Sequence, residues 1–256
     1  MTAPETKPRQ ETPWHARVAA AYGEPHRHYH TLAHVQAMLS GLDEARALAR
    51  EPDVLEVAIW FHDAVYMPPA SDNERRSAQW AREELRLAGW PSGKIERVAQ
   101  LIEWTADHQV PDNDHDAALL MDLDLGILGA PTSVYDNYLQ QIRREYAAVP
   151  DAAYRTGRLA FVHSMLSRRL IYRTTHFRAR QERAARANLA SEARRLGEAP
   201  AHPNELPTAQ PPRANSRSTA AEKSSSIQAG ATSSSCSSSG RYLPHRPAGQ
   251  VGQWPE

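Results

Sequence analysis

From Glu11 to Leu196 apolar residues recur at intervals of three and four, and Pro or Gly falls between the periodic blocks. That spacing stacks apolar side chains on one face of an α-helix, and no stretch alternates strictly enough to serve as a strand, so the chain is restricted to an all-α fold. The punctuation predicts eight to nine helices. The first spans about residues 13–22 and is ended by Gly23 and Pro25. The second follows Thr31 as its N-cap and carries Leu32, Val35, Met38, Leu39 and Leu42 on one stripe. The third follows Pro52 and is apolar nearly all round through Val54, Leu55, Val57, Ala58, Ile59, Trp60 and Phe61, which predicts a buried central helix. Ser71 with Glu74 has the spacing of a capping box opening a fourth helix. Further helices are expected over about 94–107, 116–128, 133–147, 151–172 and 178–196. The last has a thin stripe (Ala184, Ala187, Leu189), which predicts packing on the outside of the domain or on a partner.

The segment 200–256 holds 8 of the 19 prolines and 11 serines with few large apolar residues, a composition too poor in burial to offset the entropy of folding. The expected organisation is a flexible N-terminus at 1–12, one helical domain at 13–196, and a disordered Pro/Ser-rich tail at 197–256. About 200 folded residues suit a single domain. The 30 Lys plus Arg balance the 30 Asp plus Glu, so no global basic field recommends a nucleic-acid polymer or an anionic membrane as partner. Cys236, the single cysteine, lies in the Ser-rich segment and excludes an intrachain disulfide framework and a thiolate zinc site. Residues 1–14 are polar with no apolar core of a signal sequence, and no apolar run approaches the roughly 18 residues of a membrane span. A soluble, cytoplasmic protein is expected.

Ten of the 12 histidines precede residue 200, and histidine is both the commonest metal ligand and the physiological proton carrier. His30 and His34 share a helix face, and His62 and Asp63 are adjacent at the end of the third helix. Asp122 and Asp124, two apart on the sixth helix, point in nearly opposite directions, so one ion can use one of them. Asp124 shares its face with Leu120, Ile127 and Leu128, and a carboxylate on a core-facing stripe needs a partner that a metal would supply; Asp124 is therefore preferred.

The ordered set His34, His62-Asp63 and Asp124 resembles the H…HD…D signature of the HD superfamily of metal-dependent phosphohydrolases, an all-α fold in which four such ligands hold a divalent ion. The stretch from Tyr29 to His34 is also similar to the Tyr-His-Asn-x-x-His pattern of cyclic-nucleotide phosphodiesterases, in which the first histidine donates a proton to the leaving oxygen. Over nearly the whole span from Trp14 to Leu196 the chain resembles a bacterial family of HD-type phosphohydrolases of unknown substrate. The blocks that carry this are Arg27-His28-Tyr29-His30-Thr31, Trp60 to Tyr66, Ser71-Asp72-Asn73-Glu74, Asp122-Leu123-Asp124-Leu125 and Ile142-Arg143-Arg144-Glu145-Tyr146.

The resemblance implies a hydrolase of a small phosphorylated substrate with His34, His62, Asp63 and Asp124 at one divalent ion (Mn, Fe, Co, Ni or Mg) and His30 as proton donor. Imidazole and carboxylate donors suit those ions and leave positions for water and a substrate oxygen. Glu74 is expected to orient or deprotonate the attacking water, in competition with its capping role. Arg27, beside His30, is expected to bind a substrate phosphate. Arg143 and Arg144 are read as salt-bridging to Glu145 or Asp136. His108 is read as an exposed histidine at a helix end, with a role at a second ion as the alternative. No His-Asp-GYP extension, second HD pair or regulatory domain is found. A second ion, homo-oligomerisation, a di-iron oxygenase and a non-catalytic metal- and nucleotide-binding protein stay open as alternatives.

Overall fold

The computed structural model describes residues 12–197. The expected N-terminal segment before Thr12 and the Pro/Ser-rich tail beyond Gly197 lie outside the described residues. Within them the chain is all-helical, with nine α-helices joined by turns and 3-10 segments and no strand. These are α1 Pro13–Ala21, α2 Leu32–Glu44, α3 Pro52–Phe61, α4 Asn73–Leu87, α5 Ser92–Glu103, α6 His115–Asp124, α7 Thr132–Glu145, α8 Asp151–Ser167 and α9 Thr175–Gly197. No single helix among the described residues is long and apolar enough to cross a membrane.

α3 and α6 form the centre, as their continuous apolar faces require. Leu55, Ile59 and Phe61 of α3 and Leu119, Leu120 and Met121 of α6 are buried, and α2, α4 and α5 close over them. α2 approaches α6 closely because Gly41 has no side chain: a Cβ there would lie 2.7 Å from Leu123 Cδ2. That approach brings the start of α2, with His34, to the end of α6, with Asp124.

Buried carboxylates hold several turns that no local signal would fix. Asp116 accepts from the amides of Arg50 and Glu51, 2.8 Å each, and so fixes the turn that leads into α3. Glu182 accepts from the amides of Ile171 and Tyr172 at 3.1 Å, and Asp122 from those of Arg173 and Thr174 at 2.7 Å. These last two carboxylates stop α8 at Ser167, short of the expected 172, and shape 168–174 into a connector. α9 then starts at Thr175, earlier than expected, with the Thr174 hydroxyl accepting from the Phe177 amide.

α9 packs within the chain, against α8 and the 3-10 turn Leu125–Gly129. Its buried stripe is Phe177, Ala185, Asn188, Leu189 and Glu192, one step round the helix from the expected Ala184 and Ala187. Asn188 donates to the carbonyls of Leu128 and Ala130 at 2.9 Å, and Glu192 takes the guanidinium of Arg158.

The capping box expected from Ser71 and Glu74 does not form. Asp72 is the N-cap of α4, without a side-chain capping bond, and the Asn73 side chain ties the preceding loop instead, accepting from Met67 and donating to Ala70.

Candidate metal centre and its cavity

The start of α2, the end of α3 and the end of α6 meet at one point, and His34, His62 and Asp124 meet there with them. One ligand atom from each lies within 4.8 Å of the other two, a group that can hold a metal ion. His34 Nε2 is 3.2 Å from His62 Nε2 and 3.2 Å from Asp124 Oδ1. Asp63 Oδ2 lies 3.0 Å from His62 Nε2, so the fourth expected ligand borders the same point.

The donor set fits a divalent ion on its own chemistry. His62 is 1 % exposed, and its Nδ1 donates to the Ile59 carbonyl at 2.8 Å, which leaves Nε2 directed at the cluster in the manner of a ligand held by an outer hydrogen bond. Two imidazole nitrogens facing one another at 3.2 Å, beside two carboxylates, need a cation between them or a proton on one of them. Burial works against protonating His62, but Asp63 and Asp124 overcome it and lift its pKa to about 9. Burial dominates at His34, whose pKa falls. Asp124 is held well below the usual carboxylate range: burial opposes this, and the hydrogen bonds and charges of the surrounding histidines prevail.

Asp122 and Asp124 divide as helical geometry requires. Asp122 is fully buried with both oxygens engaged by the Arg173 and Thr174 amides, and burial raises its pKa to about 6.

A cavity of about 240 Å³ opens over the cluster, with His30, Asp63, Glu74, His108 and Asp124 among its polar lining and Tyr29, Tyr66, Tyr138, Tyr154 and Phe161 among its aromatic walls. Glu74 therefore lines the cavity over the cluster from the first turn of α4. Burial and the nearby Asp63 and Asp124 raise its pKa, although its own backbone amide works against this.

His30 is set with particular care. Oε1 of Glu145, at the end of α7, accepts from the amides of His28, Tyr29 and His30 at 2.7, 2.7 and 2.9 Å, while Oε2 meets His30 Nδ1 at 2.7 Å and accepts from the Tyr66 hydroxyl at 2.9 Å. Nε2 of His30 is left facing the cavity, 3.9 Å from Asp63 Oδ2. Burial disfavours its protonation, but Asp63, Glu145 and Asp124 outweigh burial and raise its pKa. Glu145 itself is lowered to about 2, its burial overcome by His30 and the loop amides.

Arg27 takes a different place from the one expected. Its side chain is fully buried and its donors are used inside the protein: Nε on Glu24 at 2.9 Å, Nη1 on the Asp63 carbonyl at 2.7 Å, and Nη2 on the Ala64 carbonyl at 3.0 Å. It also stacks 5.1 Å from the Tyr22 ring. It ties the His30 loop to the His62-Asp63 turn and has no donor on the cavity. His108, read as an exposed helix-end residue, comes to the cluster: its Nε2 is 2.9 Å from Asp124 Oδ2, and its backbone takes φ 54°, a left-handed conformation uncommon outside glycine. Arg143 pairs with Asp151, and Asp136 pairs with Arg195, so neither of the expected partners of Arg143 is used.

Glu145 and Arg158 are the residues that sequence reasoning missed. Arg158 lines the cavity from α8, with its guanidinium 5.2 Å from the Tyr138 ring and 4.6 Å from that of Phe161, and is neutralised by Glu192. Glu145 lies 115 residues from His30, and no local pattern links them. Comparison with family models, with curated proteins and with solved structures gives no match to this chain.

Proposed function

We propose that this chain is a divalent-metal-dependent phosphohydrolase acting on a small phosphate ester, a nucleotide or a compound of similar size. The observation that carries this reading is that His30, backed by Glu145, lines the same cavity as Asp124, one member of the His34–His62–Asp124 group. A divalent ion held by that group would supply charge neutralisation at a phosphoryl group and acidify a water. The chain's own residues supply the rest. Glu145 fixes the orientation of the His30 ring and favours its protonated form, so that Nε2 can give a proton to the departing oxygen. Glu74 can take a proton from the attacking water across the cavity. The tyrosine walls and the Arg158 guanidinium offer a planar, partly apolar surface for the alcohol portion of the ester.

A binuclear site has its own supporting observation. His34 meets Oδ1 of Asp124 and His108 meets Oδ2, so this carboxylate is placed to serve two ions. A binuclear phosphodiesterase or an oxygenase would need that arrangement.

The test is turnover of a panel of phosphate mono- and diesters by the full chain, stripped of metal and reloaded with Mn, Fe, Co, Ni or Mg. Metal-dependent release of phosphate is expected, with Glu74→Gln and His30→Gln slower by on the order of 10²-fold and unchanged in metal content. Equal turnover with and without metal would overturn the reading. Oxygen consumption with two equivalents of iron would move it to the oxygenase, and tight nucleotide binding with no turnover under any ion would leave a binding protein.

A further inference from the structure

The connector between α8 and α9 and the first turn of α9 carry Arg168, Arg169, Arg173 and Arg178, and all four line a groove of about 800 Å³. The one carboxylate among its lining residues is Asp112, fully exposed and 3.6 Å from Arg173. The groove therefore has four guanidinium charges against one acid, in a chain whose formal net charge is zero. Among the described residues Arg168, Arg169 and Arg178 have no carboxylate within ion-pair distance. Several arginines elsewhere are ion-paired: Arg17 meets Glu84, Arg82 meets Glu96 and Glu103, Arg97 meets Asp114, and Arg158 meets Glu192.

Several of these cations are also held in place. Arg168 donates to the Asp107 carbonyl at 3.0 Å and Arg173 to that of Val110 at 2.6 Å, while Arg178 reaches the Thr175 hydroxyl at 3.0 Å. Burial and then the charge of Arg173 make Arg168 a weaker base than an ordinary arginine, with the nearby Asp107 working against them. Arg168 and Arg178 are half-buried and Arg169 and Arg173 are exposed, and a multivalent anion can bridge guanidinium groups gathered in this way by forked hydrogen bonds to their edges. His108 lines both this groove and the cavity over the metal cluster.

We propose that this groove is a binding site for a small polyanionic phosphate group, of the di- or triphosphate class. Two sources share that chemistry: the distal phosphates of a substrate whose reacting phosphate lies in the neighbouring cavity, or a free oligophosphate acting as an effector. The balanced overall charge and the gathering of four arginines in one groove favour a small anion over a nucleic-acid strand.

The experiment is calorimetric titration of the metal-stripped full chain with inorganic tripolyphosphate, which needs neither an ion nor turnover and so stands or falls apart from the hydrolase reading. The variants are Arg169→Ala/Arg178→Ala, whose guanidinium groups hold no part of the fold beyond the Thr175 contact, and Asp124→Asn. One equivalent should bind the wild type and Asp124→Asn alike, and the double variant should bind at least tenfold more weakly, with unchanged circular dichroism. No binding to the wild type, equal binding to the double variant, or loss of binding in Asp124→Asn would overturn the proposal. A single-stranded oligonucleotide that outcompetes tripolyphosphate at equal phosphate concentration would replace it with a nucleic-acid site. In turnover assays the two sources separate. A KM raised in the double variant for polyphosphorylated esters alone assigns the groove to substrate, and a tripolyphosphate effect on monoester hydrolysis that the double variant loses assigns it to an effector.

Discussion

Two sets of carboxylates occupy neighbouring parts of this domain and are used in opposite ways. Asp116, Asp122, Glu145 and Glu182 put their oxygens on backbone amides and so fix turns. Asp63 and Asp124 put theirs on imidazoles, whose protons can be exchanged for an ion. Asp122 and Asp124 stand two residues apart on one helix and fall on opposite sides of this division. The difference teaches that a buried acid is not by itself a sign of a site. What distinguishes a ligand is an oxygen facing other titratable groups and a cavity, rather than an amide pair.

The division is open to breakage at several points, beginning with Glu145, the clamp that also holds the His30 ring. Its carboxyl is depressed in the fold from its ordinary value of 4.5 to about 2, so it stabilises the folded state fully above about 4.5, and the contribution is lost as pH falls toward 2. A depression of that size is worth on the order of 3 kcal/mol at neutral pH. Glu145→Gln should therefore unfold at distinctly lower urea than the wild type at pH 7, with the gap closing on acidification between pH 4.5 and 2. A gap that stays constant or widens would show that the charge of Glu145 does not hold the His30 loop.

The pair on α6 gives the next largest effect. Asp122→Ala leaves the amides of Arg173 and Thr174 without their acceptors, at a cost of about 1–3 kcal/mol each; the burial that raises the pKa of Asp122 tempers the loss, so about 2 kcal/mol in all is expected. Metal content of the folded fraction should be unchanged. Asp124→Asn should lose the metal, and because the surrounding histidines hold its carboxyl well below the usual range, the metal-free protein should also lose some stability at neutral pH. Denaturant melts beside elemental analysis decide this, and metal loss in Asp122→Ala with retention in Asp124→Asn would invert the assignment.

A smaller effect is expected at Arg27. Arg27→Met withdraws donors from the Asp63 and Ala64 carbonyls and should cost about 1–2 kcal/mol, with slower turnover through a displaced His30 and metal content intact. If instead KM rose with the catalytic rate and stability unchanged, the guanidinium would be contacting substrate.

Much of this was legible in residue order. The period of 3.6 separates Asp122 from Asp124, and the all-round apolarity of Val54 to Phe61 marks α3 as central. That His34, His62-Asp63 and Asp124 belong together was legible through the resemblance of their order to the H…HD…D signature, while helical spacing gave the shared face of His30 and His34 and the preference for Asp124. What was not legible depends on contacts across the chain. The loop around Arg27 gives no sign that carbonyls from the Asp63 turn will surround its guanidinium. His108 looks like a helix-end residue until its left-handed backbone turns its ring to Asp124. The end of α8 follows local propensity only as far as Ser167, because carboxylates from α6 and α9 then impose a turn that the intervening sequence does not encode.

The central claim is that His34, His62 and Asp124 bind a metal ion, and elemental analysis of the freshly purified full chain beside His34→Ala and Asp124→Ala tests it most directly. The account predicts at least one equivalent of a divalent transition metal in the wild type and none in either variant, with both variants still helical by circular dichroism. Wild-type protein that contains no metal and takes up none on titration would contradict it.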